Sequence, residues 1–134
     1  MKIHHVGYLV DNMENAVNEF CTYGGQLAGD VVFDKERLVD IAFIKMGMVM
    51  IELVSPREES IAVGKSLRRL KKTPYHLCFE CGKIDETIEN MVHSGCVLVK
   101  EPQKAVALDN RRVAFLYSEG IGLFEILETE RKEV

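Results

Sequence analysis

The chain has 134 residues, 47% of them hydrophobic and 28% charged, with a formal net charge of −4. That length gives one domain or two small, intimately packed modules, and the composition is that of an ordinary globular protein. The negative charge argues against a phosphate backbone as the main partner, and no apolar run is long enough to span a bilayer.

The opening "MKIHHVGYLV" is too poor in apolar residues for a signal peptide. A soluble cytoplasmic protein, with no nucleic acid or membrane partner, is therefore expected. The four cysteines, Cys21, Cys78, Cys81 and Cys96, read as free and mostly buried thiols rather than a disulfide framework.

The stretch "HVGYLVDNMENAVNEF" reads as a short strand, a polar turn and an amphipathic helix. Met13, Ala16, Val17 and Phe20 fall at i, i+3, i+4 and i+7. Asp11 or Asn12 can cap that helix, and Gly24 sits where it must stop. Three strand candidates follow, at about Gln26–Phe33, Leu38–Lys45 and Met48–Ser55.

Next comes "SPREESIAVGKSLRRLKKTP". Val63, Leu67 and Leu70 suit one face of a helix, with Ser60 a possible cap and Pro74 beyond the end. Lys65, Arg68, Arg69, Lys71 and Lys72 make the segment basic. That is a solvated face or a landing site for an anionic substrate tail.

The pattern then restarts. Setting His76 on His5 brings "HLCFECGKIDETIENM" onto the first strand, turn and helix. Ile84, Ile88 and Met91 are helically spaced, and Gly95 follows as Gly24 did. Strand candidates lie at about Cys96–Lys100, Arg112–Ser118 and Leu123–Glu128. "AFIKMGMVMIELV" and "AFLYSEGIGLFEIL" align with a one-residue slip at a glycine-bearing turn. The expected fold class is therefore α+β, built as βαβββ twice. Residues 1–57 form the first module, residues 58–73 a connecting helix and residues 74–134 the second module.

Two letters do not suit buried strands. Glu52 interrupts "MVMIELV" and Glu125 interrupts "GLFEILE". One such glutamate is more often part of a solvated patch. An unpaired buried carboxylate costs several kcal/mol, so two at repeat-equivalent positions ask for compensation. His5 and His76 likewise open the first strand of each copy, where a lone histidine would more often be structural. Neutral imidazoles and carboxylates are ligands for divalent transition metals, and a metal would supply the compensation. His4 points to the opposite strand face from His5. Cys78 and Cys81 have C-x-x-C spacing, but on a strand they face opposite ways and no second C-x-x-C exists. They read as core or near-site cysteines.

At these residues the sequence resembles the vicinal oxygen chelate superfamily, which includes glyoxalase I and methylmalonyl-CoA epimerase. The likeness rests on "HHVGYLVDNMENAV", "IELVSP", "YHLCFE", "NRRVAFL" and "GLFEILE" in that order. It implies two βαβββ modules forming a curved, mostly antiparallel sheet around one divalent metal ion, nickel, cobalt or zinc. The implied metal ligands are His5, Glu52, His76 and Glu125. Glu125 is implied as ligand and base, and Glu52 as its counterpart on the opposite face of the substrate. The implied reaction removes a proton α to a metal-bound carbonyl, in an acyl-CoA thioester or a thiol–2-oxoaldehyde adduct. A homodimer is common in the family. A non-catalytic, resistance-type small-molecule binder is the alternative. An iron dioxygenase is disfavoured by the second carboxylate and the short chain.

Overall fold

The computed structural model describes residues 1–129. Two compact units divide the chain. One is His5–Tyr75; the other joins Met1–His4 to the described residues from His76 onward.

In the first βαβββ run, β1 (Lys2–Leu9) leads into α1 (Met13–Thr22). Of the two possible caps, Asn12 is the one used. Its backbone is extended and its Oδ1 accepts from the Asn15 amide at 3.0 Å. This satisfies one of the amides that the first helical turn leaves without an intrahelical partner. Met13, Ala16, Val17 and Phe20 pack on Val10, Ala42, Ile44 and Leu53. The helix stops at Gly24, whose φ of 101° suits glycine alone. Gly25 then donates to the Phe20 carbonyl at 2.9 Å. A Cβ at Gly25 would lie 2.7 Å from Ile44 Cγ2 and 2.8 Å from the Phe20 oxygen, so the chain passes under the helix only without a side chain.

Strands β2 (Gln26–Asp34), β3 (Val39–Met46) and β4 (Val49–Pro56) follow, in the spatial order β2-β3-β4-β1. Neighbours are antiparallel except β1 and β4, which are parallel. That parallel pair is closed by the long excursion through α1, β2 and β3.

The expected helix over residues 58–73 is confined to one turn, α2 (Lys65–Arg68). The β-branched Ile61 and Val63 and the Gly64 before the turn are poor helix formers. Side chains organise the segment instead. Ser60 does not cap the helix; its Oγ donates to the Arg37 carbonyl at 2.6 Å. The Arg68 guanidinium donates to the carbonyls of Ser60 at 2.7 Å and Arg57 at 3.1 Å. Val63 is buried, whereas Leu70 is exposed, so the anticipated apolar face does not form.

The second βαβββ run is β5 (Thr73–Cys81), α3 (Ile84–His93), β6 (Val97–Ala105), β7 (Arg111–Ser118) and β8 (Gly122–Glu128). Its strand order is β6-β7-β8-β5, with β5 parallel to β8. Ile84, Ile88 and Met91 pack on Ala114, Leu116, Phe124 and Ile126. Arg112 binds both oxygens of Glu128, at 3.0 and 2.9 Å, and Asp85 at 3.1 Å, tying β7, β8 and α3 together. Strand β6 runs five residues past its expected end at Lys100. Pro102 lies where the register shifts between Lys100 and Gln103, on a terminal strand of the order, which is where proline is tolerated.

The one-residue slip between the hairpins is a difference in turn length. Met46 pairs with Val49 across two residues, and Ser118 pairs with Gly122 across three. The α+β class, with two mostly antiparallel βαβββ modules, is the fold observed. Among the described residues no helix is long and apolar enough to cross a membrane.

Candidate metal centre

Each module builds the same small constellation. In the first, Glu52 on β4 stands opposite Gly7 on β1 and Phe43 on β3. His5 lies two residues before Gly7, on the same strand face. Its Nε2 is 3.6 Å from Glu52 Oε1. The Phe43 ring meets the imidazole edge-on, centroids 5.6 Å apart.

In the second module, Glu125 on β8 stands opposite Cys78 on β5 and Phe115 on β7. His76 lies two residues before Cys78, and its Nε2 is 3.4 Å from Glu125 Oε1. Phe115 makes the matching edge contact with the imidazole at 5.3 Å. The two phenylalanines escape notice in the sequence because an apolar letter in a strand is unremarkable. Their signal was their common place in "AFIK" and "AFLY".

The four polar residues are deeply covered. Exposure is 0% for His5, 6% for Glu52, 5% for His76 and 2% for Glu125. Each module thus buries a histidine and a glutamate of the kinds that could hold a metal ion. The donor chemistry fits. Two imidazole nitrogens and two carboxylates suit a divalent transition metal, and two negative charges match its two positive ones.

The remaining candidates fall outside this set. His4 is only partly buried. Cys78 is fully buried on the His76 face, whereas Cys81 packs on the opposite face with Ile84 and Phe124. Burial pushes the Cys81 thiol above its ordinary range. All four cysteines are free. In the basic segment, Arg68 is committed to loop carbonyls, and Lys72 lies 3.7 Å from Asp11.

The comparisons with known proteins agree with this architecture. A hypothetical protein from Bacillus halodurans C-125 superposes with a TM-score of 0.84 at 25% identity, over 99% of this chain and 97% of that one. The methylmalonyl-CoA epimerase from Mycobacterium tuberculosis superposes at 0.81 with 21% identity, over 96% and 88% of the two chains. A Streptomyces coelicolor methylmalonyl-CoA epimerase variant, in complex with 2-nitronate-propionyl-CoA, gives 0.81 at 24% identity, over 100% and 98%. At such identities the two epimerases speak to the fold alone. No curated protein sequence matches the chain. The family model described as Glyoxalase/Bleomycin resistance protein/Dioxygenase superfamily matches residues 4–115, so the chain belongs to that superfamily.

Proposed function

We propose that the protein is a divalent-metal-dependent isomerase or lyase of the glyoxalase I and methylmalonyl-CoA epimerase type, removing a proton α to a carbonyl. The observation that carries this reading is the donor set. Each module buries one imidazole beside one carboxylate, His5 with Glu52 at 3.6 Å and His76 with Glu125 at 3.4 Å. Nickel, cobalt or zinc suits the set.

When bound, the ion would act as a Lewis acid toward the carbonyl oxygen of the substrate, a contribution of several kcal/mol. The chain supplies the rest. A carboxylate oxygen of Glu125 accepts the α-proton, and Glu52, its counterpart in the first module, delivers one from the opposite side. Phe43 and Phe115 hold the two imidazoles in their orientation. The low exposure of all four ligands keeps bulk water from competing for the proton. The substrate is an acyl-CoA thioester or a hemithioacetal, and the acyl-CoA analogue bound to the Streptomyces coelicolor epimerase supports the former. A homodimer in the cytoplasm belongs to the same reading.

Solvent deuterium exchange tests it. The metal-loaded protein should exchange the α-proton of methylmalonyl-CoA or of a hemithioacetal. Glu125→Gln should slow exchange by about 10²-fold or more. No exchange with either probe would overturn the catalytic reading and leave resistance-type small-molecule binding as the function.

A further inference from the structure

A cavity of about 390 Å³ lies beside α1 in the first module, away from the His5–Glu52 pair. Its size is that of a small-molecule site, about 300–1,000 Å³. Tyr8, Phe20 and Tyr23 line it, together with Asp11, Glu19 and Lys72. Tyr8 belongs to the strand face opposite His5, so the cavity is on the helix-covered side of the strand.

Tyr8 and Phe20, which also pack on the core, meet edge-on at 85° with centroids 5.5 Å apart. Tyr23 is 75% exposed. The charges are unequal. Lys72 is matched by Asp11 at 3.7 Å, whereas Glu19 has no ion pair among the described residues. The lining therefore carries one uncompensated negative charge.

The second module serves as an internal control. Its residues equivalent to Tyr8, Glu19, Phe20 and Tyr23 are Phe79, Asn90, Met91 and Ser94. There the same strand, helix and turn fold with one aromatic fewer in the core, an amide in place of the Glu19 carboxylate and no ring in place of Tyr23, although Glu86 stands where the first module has Asn15. The βαβββ framework therefore does not require Glu19 or Tyr23, and their presence in one copy calls for another cause.

We propose that this cavity binds a small organic cation of the alkylammonium class. Ring faces attract such a cation through their quadrupoles when it comes within about 6 Å of the centroids. The Glu19 carboxylate supplies the counter-charge, and the Lys72–Asp11 pair closes the rim. This site is separate from the buried His and Glu residues and does not depend on their role.

Choline is the probe, with 3,3-dimethylbutanol as its uncharged isostere. Titrations of the metal-loaded protein are followed by calorimetry and by the aromatic proton resonances. Choline should saturate in the millimolar range or below and shift the Tyr8, Phe20 and Tyr23 signals. The isostere should bind about tenfold more weakly. Tyr23→Ala and Glu19→Gln, both at exposed positions, should each weaken choline binding about fivefold while the melting temperature and metal content stay unchanged. Equal binding of choline and the isostere would make this a plain apolar groove and overturn the proposal. So would an absence of choline binding, or binding that both variants leave intact.

Discussion

Glu52 and Glu125 are 6% and 2% exposed, and each lies within 3.6 Å of a histidine of its own module. Side chains this covered depend on their orientation, and the aromatic edges supplied by Phe43 and Phe115 bear on it. Outer residues that orient metal ligands are worth about 10–100-fold in affinity when removed. Phe43→Leu keeps the side chain apolar, though smaller, and loses the ring edge. It should weaken metal binding by up to about tenfold while stoichiometry at saturation stays the same; competition against a chelator of known affinity measures this. The cysteines give a second residue-scale expectation. Cys21 is exposed, whereas Cys78 and Cys81 are buried and the Cys81 thiol is pushed up by that burial. Iodoacetamide should label Cys21 well before either. Because burial favours the neutral thiol, Cys81 costs nothing at neutral pH. It should begin to destabilise the fold as the pH rises through the ordinary thiol range, with the penalty growing until the folded-state pKa is passed. Cys81→Ala should flatten that alkaline loss of stability in denaturation measured across pH.

At the scale of elements, duplication made the sequence legible. One helical period or one strand alternation is ambiguous, but the same order of features from His5 and again from His76 fixed both βαβββ runs. The same duplication singled out the four His and Glu residues. What stayed hidden was set by tertiary contacts. The segment before β5 shows apolar letters at helical spacing, yet Gly64 and the Arg68 hydrogen bonds to loop carbonyls leave one helical turn. Strand β6 passes Pro102 because a bulge absorbs it, and no local signal announces a bulge. Tyr8 and Phe20 read as core letters, so nothing in the sequence announced a cavity beside them. The two ends of α1 can be tested separately. Asn12→Ala removes the cap at its start and should cost about 1 kcal/mol. Gly25→Ala places a methyl group against the Phe20 carbonyl oxygen at 2.8 Å, where the backbone has little room to yield. It should cost about 1–3 kcal/mol, as overpacking does. Urea midpoints at constant m-value would read both.

For the molecule as a whole, the question is whether the two matching pairs serve one ion or two. Each pair has one imidazole and one carboxylate, and two protein ligands alone make a weak site for a divalent transition metal. Four ligands complete a structural-type set or leave positions open for substrate. The shared-ion arrangement predicts one ion per chain, and it predicts that His5→Ala alone or His76→Ala alone removes it. Separate sites predict two ions, with each variant retaining one. Stability distinguishes them as well. A ligand that binds only the folded chain at 1,000 times its Kd adds about 4.1 kcal/mol. For a chain of this length, chelation should then lower Tm by on the order of 10 °C. If one ion is shared, either single histidine variant should melt at the same temperature with and without added metal. A variant that keeps about half of the metal-induced rise would show that each module holds its own ion, and the proton-transfer roles given to Glu52 and Glu125 around a common centre would fall with it.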